Sequence, residues 1–517
     1  MASLTYPSGN SVNYTHDVHG QLNSLTYEWS GGTTQTLISN LQTLPFGPVK
    51  AFDYGNGLSL ARSFDQDYQL ISQTIPGILQ SSYQHDPVGN ITDWQDLLST
   101  GQDQLFDYDA LYRLTSANGA YGDITYTYDA TGNRLSLTPD GSTETYSYVP
   151  SSHRLQQILG SVTDSRSYDA AGNTIQSLIG SYTYDDTNRM VSFSKTGTTA
   201  TYAYNGKGER ISKNVDGNIT RFRYGSAGQL LGEYDQNGQA IREYITLEGQ
   251  PVGLVVTDPV TTLSSVYYLH TDHLGAVVKA TDSTQTLVWD AERKPFGERS
   301  VTTAQIEMPL GFPGQYFDEE SGNYYNYFRD YDPSTGRYLQ SDPIGLKGGL
   351  NTYSYVSNNP LIYIDYFGLY SYWGGPGQWA AGSEGTNQSG IGLGGGVAFG
   401  VGPVGGSVTK GRVFDGNRWC DFTKICYRGT LGAIMSATAT ANLGPRNGPL
   451  CSGKYEMICG FGAGGAFGVF GRMSLCGTFE SATSAASAGV GKGLGVGIEL
   501  CEVTMNCRGE EPCECEK

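Results

Sequence analysis

The chain is 517 residues long, with 71 glycines, 37 tyrosines against 18 phenylalanines, and only 16% charged residues. That length allows two or more domains, and the mix suits short strands joined by tight turns and argues against a helical protein. The formal charge of −18 speaks against nucleic acid or an anionic membrane as partner of the chain as a whole.

The residues are spread unevenly. All nine cysteines fall between Cys420 and Cys515, and all six histidines lie at or before His273. After Leu369 there are 11 basic and 11 acidic residues, so the whole negative charge belongs to the first part. The chain reads as two different proteins joined. Its first residues, Met1 to Gly9, carry no basic stretch followed by an apolar one, hence no secretory signal. No apolar run supports a membrane helix, and the longest uncharged stretch, 385–409, holds ten glycines and a proline.

A repeat runs through the first part, with weaker copies at Phe64-Asp65 and at Tyr83 through Asp86-Pro-Val-Gly89-Asn90. Tyr108, Tyr128, Tyr148, Tyr168, Tyr184, Tyr204 and Tyr224 recur at spacings of 20, 20, 20, 16, 20 and 20. Several are followed by Asp and a turn, most cleanly in Tyr128-Asp129-Ala-Thr-Gly132-Asn133. The residues before each Tyr alternate, as in Ile124-Thr-Tyr126-Thr-Tyr128, which predicts a half-buried strand. Asp bonds its own downstream backbone, and Gly or Asn tolerates positive φ, so the chain reverses. One hairpin cannot bury its apolar face alone, whereas stacked hairpins build one continuous coiled sheet.

These residues resemble the YD repeats of the RHS (rearrangement hotspot) family, which includes teneurin shells and the C components of insecticidal toxin complexes. The resemblance continues in Tyr268-Leu-His270-Thr-Asp272-His273-Leu-Gly275, Lys294-Pro295-Phe296-Gly297-Glu298, Gly314-Gln315-Tyr316-Phe317-Asp318 and Tyr324-Tyr325-Asn326-Tyr327-Phe328-Arg329-Asp330-Tyr331. It runs on through Gly336-Arg337-Tyr338, Ser341-Asp342-Pro343-Ile344-Gly345-Leu346, Asn351-Thr-Tyr353-Ser-Tyr355 and Asn358-Asn359-Pro360. It covers about residues 1–369 and implies an all-β fold, a coiled β-hairpin repeat shell. The expected division is a YD-repeat shell over 1–265, an RHS repeat-associated core over 266–369 and a variable domain over 370–517. His270, Asp272 and His273 have the chemistry of metal ligands, but no third His or Cys lies nearby in sequence. The reading is a structural hydrogen-bonding role, with no metal and no cofactor.

The same resemblance implies self-cleavage. The family's core ends in the motif PxxxxDPxGL and is cut after the Leu; here it reads Pro360-Leu-Ile-Tyr-Ile-Asp365-Tyr366-Phe367-Gly368-Leu369. The expected cut lies between Leu369 and Tyr370. Asp365 and Asp342 match the family's two acids, and Arg329 matches its arginine. Two carboxylates held close cannot both ionise, so one activates water while the other polarises the carbonyl or protonates the leaving nitrogen. Arg329 would hold one of them ionised, and Gly368 would let the backbone approach both. Tyr366 replaces the family's Pro, which removes a fixed φ and adds an N–H. Without the surrounding motifs, Asp342 and Asp365 would read as turn caps.

The tail from 370 to 517 holds 34 glycines. Tyr370 to Trp379 reads as a linker; after it, Val397–Gly402, Gly460–Phe470 and Val490–Leu500 alternate as strands, several with a bare glycine face. A small Gly-rich antiparallel β-domain or barrel is expected. The family places a toxin here, but without histidine the tail cannot host an HNH nuclease or a Ser-His-Asp triad, and its neutral charge speaks against gripping phosphates. Three readings stay open. One is a membrane-active hairpin or barrel. The second is a disulfide scaffold drawing on Cys420, Cys426, Cys451, Cys459, Cys476, Cys501 and Cys507, its connectivity undetermined. The third is a thiolate metal site at Cys507, Cys513 and Cys515, weakened by the lack of a fourth ligand.

The expected whole is a polymorphic toxin, secreted or surface-borne by a signal-independent route. Its shell encloses its own C-terminal domain and releases it by intramolecular aspartyl proteolysis. Partners would be a cognate immunity protein and a delivery machine. The chain opens inside the repeat array, as an N-terminally shortened piece would. The competing reading is a non-enzymatic adhesion protein displaying an uncut tail.

Overall fold

The computed structural model describes residues 3–374 apart from Phe46, Thr100 and Val162, and beyond them the backbone of strands between Gly392 and Cys507. Two units emerge, one taking in Pro48–Ser383 with most residues before it and the other taking in Glu384–Lys517.

In the first unit each strand pairs antiparallel with its neighbour in sequence. Sixteen strands run from Ser3–Thr5 to Asp164–Ser165, and 14 more from Ser167–Tyr168 to Arg299–Ala304. Apart from two short 3-10 turns, Gly345–Gly348 and Val356–Asn358, the described residues hold no helix. The fold is all-β, as the tyrosine and glycine content implies.

The repeat has a physical explanation. Each periodic tyrosine is the last residue of its strand, as in Gln104–Tyr108, Gly122–Tyr128, Glu144–Tyr148, Ser181–Tyr184, Thr198–Tyr204 and Asn218–Tyr224. Its hydroxyl donates to a backbone carbonyl of the preceding hairpin: Tyr128 to Leu114 at 2.8 Å, Tyr148 to Arg134 at 2.7 Å, Tyr204 to Met190 at 2.7 Å and Tyr224 to Arg210 at 3.0 Å. Phenylalanine could fill the space but could not make that bond, which accounts for the excess of Tyr. The next residue closes the turn: Asp129 Oδ1 accepts from the amides of Thr131 (2.8 Å) and Asn133 (2.9 Å), and Gly132 takes φ +84°.

The ribbon returns on itself. Leu25, Tyr27, Ile38 and Phe52 from the first strands share a buried cluster with Ile245, Val255 and Tyr268 from the strands Ala240–Leu247, Gln250–Thr257 and Ser264–Thr271. Tyr6 donates to the Tyr244 carbonyl at 2.8 Å and Tyr54 to that of Leu269 at 3.0 Å. Residues 316–338 form a separate four-stranded sheet, Tyr316–Asp318, Asn323–Asn326, Arg329–Asp332 and Arg337–Tyr338, almost wholly buried. It is bolted to the repeats by ion pairs. Arg166, between the two large sheets, bonds Asp164 at 2.8 Å and Asp332 at 2.6 Å. Arg210, packed among the rings of Tyr202, Phe222, Tyr316 and Tyr325, makes a two-pronged bond to Asp318 at 2.5 and 2.9 Å.

The polar motifs after residue 350 dock on successive repeat turns. Asn351 Nδ2 donates to Asn133 Oδ1 (2.9 Å), Tyr353 Oη to the Gly172 carbonyl (2.7 Å), and Asn358 Nδ2 to the Gly132 carbonyl (3.0 Å). Asn359 Nδ2 reaches both Asn90 Oδ1 and the Tyr112 carbonyl at 2.8 Å. The chain carrying Pro360 and Asp365 is thereby held against the array.

One expectation is corrected. Tyr370 to Gly374 does not simply lead away as a linker, because Tyr372–Trp373 pairs antiparallel with Tyr363–Ile364 and the Gly374 amide bonds the Ile362 carbonyl at 2.7 Å, while 375–379 lies outside the described residues. The aromatic residues Tyr372 and Trp373 suit a strand, and the strand edge at 363–364 offers them a partner.

The second unit is a seven-stranded antiparallel sheet. Its order is Gly392–Gly400, Val404–Phe414, Trp419–Leu431, Val496–Cys507, Gly453–Phe461, Phe470–Ser474 and Phe479–Ala482. Among the described residues no ladder joins its two edge strands. The strand expected at Val490–Leu500 begins at Val496 and runs on to Cys507, while 490–495, 462–469 and 401–402 lie outside the described residues.

Candidate active site

The hairpin closed by Tyr363–Ile364 and Tyr372–Trp373 carries the Leu369–Tyr370 bond in its loop. Asp365 is buried at the foot of that loop. Its Oδ1 accepts from the amides of Leu369 (2.8 Å) and Tyr370 (3.1 Å), the second being the nitrogen of the expected scissile bond. Its Oδ2 accepts from Tyr338 Oη (2.8 Å) and Arg329 Nη2 (3.1 Å).

Arg329 organises the rest. It lies in the strand Arg329–Asp332, and its side chain is 3% exposed. Nη2 also lies 3.0 Å from Asp342 Oδ2, so one guanidinium nitrogen touches both acids. Nε donates to the Gly368 carbonyl at 2.6 Å and Nη1 to that of Thr352 at 3.1 Å. The guanidinium stands 3.6 Å over the Tyr338 ring.

Asp342, 23 residues before Asp365 in sequence, meets the same Arg329 nitrogen as Asp365. Its Oδ1 accepts the Ile344 amide at 2.9 Å. A Cβ built on Gly348 would collide with Asp342 Oδ2 and lie 2.8 Å from the Leu369 carbonyl oxygen. The Asp342 carboxylate and the Leu369 carbonyl therefore border the same small space. Gly368 has φ +68°, and a Cβ there would meet the Asn326 carbonyl at 2.5 Å, so only glycine fits both the conformation and the approach. Where the family has Pro, the Tyr366 carbonyl presses on Gly314 and its ring packs on Phe367 at 4.9 Å.

The two acids share charge unequally. Burial pushes Asp342 from the ordinary carboxylate range up to about 6, Arg329 opposing and the Asp365 charge adding. Burial also raises Asp365, opposed by Arg329, Tyr338 and the two amides. Every group around Asp365 donates to it. Asn326 Nδ2 bonds the Tyr338 oxygen at 2.8 Å, which directs the Tyr338 proton to Asp365. Asp365 therefore accepts from four donors and Asp342 from two, with Arg329 shared between them.

Asp342, Asp365, Arg329, Gly368, Leu369 and Tyr370 therefore come together, while Pro360 lies at the base of the hairpin among buried residues. Tyr338, Asn326 and Gly348 also border the site, though the sequence marks none of them as functional. The turn at Asp332-Pro-Ser-Thr-Gly336 pairs Tyr331 with Tyr338, and that hairpin signal could have brought Tyr338 beside Arg329; nothing in the sequence marks Gly348.

The histidines sit elsewhere. His270 Nε2 bonds Thr281 Oγ1 at 2.9 Å, His273 Nε2 bonds the Leu361 carbonyl at 2.7 Å, and Asp272 Oδ1 accepts the amides of Leu274 and Ala276 at 2.9 Å. Burial lowers the pKa of both histidines, keeping them neutral. Among the cysteines, Cys420, Cys426, Cys459, Cys501 and Cys507 fall on strands, whereas Cys451, Cys476, Cys513 and Cys515 lie outside the described residues.

The chain is similar to several known proteins. Double-stranded DNA deaminase toxin A of Burkholderia cenocepacia is 37% identical over 129 residues, covering 24% of this chain and 9% of that protein. Toxin protein Tse5 of Pseudomonas aeruginosa is 37% identical over 129 residues, 25% of this chain and 10% of that protein. Probable deoxyribonuclease RhsA of Dickeya dadantii is 46% identical over 86 residues, 16% of this chain and 6% of that protein. The chain thus spans a tenth or less of these relatives. Among solved structures, the Tc holotoxin pore of Photorhabdus luminescens superposes with a TM-score of 0.61 at 21% identity, covering 72% of this chain and 21% of that one. The TcdB2-TccC3 complex gives 0.61 at 21% identity, covering 71% and 21%; both establish likeness of fold. The Teneurin YD-shell profile matches residues 48–361, well over half the chain, and with the stacked hairpins and their tyrosine clasps already described, the protein belongs to the Teneurin YD-shell family.

Proposed function

We propose that this chain is the shell of a polymorphic toxin that cuts its own backbone after Leu369, and that 370–517 is the cargo it encloses and frees. The observation that carries the reading is the bond from the Tyr370 amide to Asp365 Oδ1 at 3.1 Å, with Arg329 bridging Asp365 and Asp342. Asp342 in its acid form donates toward the Leu369 carbonyl oxygen and draws charge from the carbonyl carbon. The Asp365 carboxylate takes a proton from the attacking water and passes one to the Tyr370 nitrogen as the C–N bond breaks. The products are a Leu369 carboxyl group and a Tyr370 amine.

Three relatives are named as toxins or deoxyribonucleases, which supports a toxin; an immunity partner, a delivery machine and secretion belong to the same proposal. The division at 265/266 and 369/370 belongs to the same proposal. Display of an uncut tail is the competing outcome. Mass spectrometry of the purified full chain separates them. Cleavage gives two masses meeting at Leu369/Tyr370 and a single mass for Asp365→Asn; an uncut wild-type chain, or continued cutting in Asp365→Asn, overturns the assignment.

A further inference from the structure

In the second unit, Trp419–Leu431 pairs antiparallel with Val496–Cys507 in one unbroken register, from Cys420 opposite Cys507 to Leu431 opposite Val496. Each strand carries two cysteines six positions apart, Cys420 and Cys426 on one, Cys501 and Cys507 on the other. Because the spacings are equal, the register that sets Cys420 opposite Cys507 also sets Cys426 opposite Cys501. An even separation puts both pairs on the same face and at the same kind of ladder position.

We propose that the second unit is stapled by two cross-strand disulfides, Cys420–Cys507 and Cys426–Cys501. Directly opposed residues in an antiparallel ladder have Cα atoms about 4.5 or 5.5 Å apart, depending on the kind of pair, and disulfides span about 4.4–6.8 Å. Bonds within one strand, Cys420–Cys426 or Cys501–Cys507, would need Cα atoms about 20 Å apart to meet at roughly 3.3 Å per residue. Formation needs an oxidant of the disulfide class, such as glutathione disulfide. A cysteine thiolate attacks it to give a mixed disulfide, and the facing thiolate displaces the second glutathione thiol. Each protein bond thus costs two cysteine protons and two electrons, and the oxidant leaves as two thiols. The inference is independent of cleavage after Leu369.

The test is peptide mapping without reductant of the full chain equilibrated in a glutathione redox buffer. The expected linked peptides join Cys420 to Cys507 and Cys426 to Cys501. Links within either strand, links from these four to Cys451, Cys459, Cys476, Cys513 or Cys515, or four free thiols would overturn the proposal. A Cys420→Ser/Cys507→Ser double variant should keep the Cys426–Cys501 link unchanged; new partners for Cys426 or Cys501 in that variant also count against it.

Discussion

At the scale of single residues the site makes its two acids unlike by where it puts them. Asp365 accepts from two amides, Tyr338 and Arg329, while Asp342 accepts from the Ile344 amide and Arg329 and is pushed up to about 6 by burial. The acid form of Asp342 dominates below that value. Cleavage on refolding from denaturant should therefore slow as pH rises through 6, and a rate climbing across that interval would reassign the acid. The same shift bears on stability. The native state keeps on Asp342 a proton that the unfolded chain gives up between 3.8 and about 6, so stability falls as pH rises through that window. Gly348 provides a steric test. Its φ lies outside the left-handed region, so alanine suits the backbone, yet the added methyl would enter the space between Asp342 Oδ2 and the Leu369 carbonyl. Gly348→Ala should fold and resist trypsin like the parent but remain uncut by mass spectrometry; full cutting would show that the carboxylate does not act through that gap.

At the scale of elements, the tyrosine clasp defines the repeat. Tyr128→Phe would leave the Leu114 carbonyl without its donor and cost about 1–3 kcal/mol. Urea unfolding of the full chain should register that loss as an earlier transition, and an unchanged midpoint would make the hydroxyl incidental. This level was the most legible in the sequence. The tyrosine period, the alternation before it and the Asp and Gly after it are local signals, and the strands end on those tyrosines. The core was legible only as motif strings. Asn351, Asn358 and Asn359 owe their places to turns more than 200 residues away, and no local rule announces such contacts. Tyr338 and Gly348 escaped for the same reason, their work being done across the fold. Tyr370 to Trp379 looked like a linker because a two-residue strand leaves almost no pattern.

At the scale of the first unit, the array and the four-stranded core sheet depend on buried ion pairs, since polar strands so thoroughly enclosed need their charges met. Arg210 has one guanidinium for Asp318 and four aromatic rings around it. Arg210→Met keeps the packing volume but strands Asp318 with Lys213 as its remaining cation, so a loss of roughly 3–5 kcal/mol is expected. Limited proteolysis should then open the chain near 316–338 first; digestion starting in the repeats instead would show that the core sheet is not what the pair secures.

If the chain is cut after Leu369 as proposed, the two-residue ladder between Tyr363–Ile364 and Tyr372–Trp373 would make severing the chain and letting go of it different events. A freshly made end at Tyr370 stays leashed by a few backbone bonds, including Gly374 to Ile362, and by Trp373 lying beside Tyr363 with ring centres 6.3 Å apart. So slight a tether needs no second enzyme to undo it, only a pull or a local loosening, and departure can be timed by mechanics after the chemistry is over.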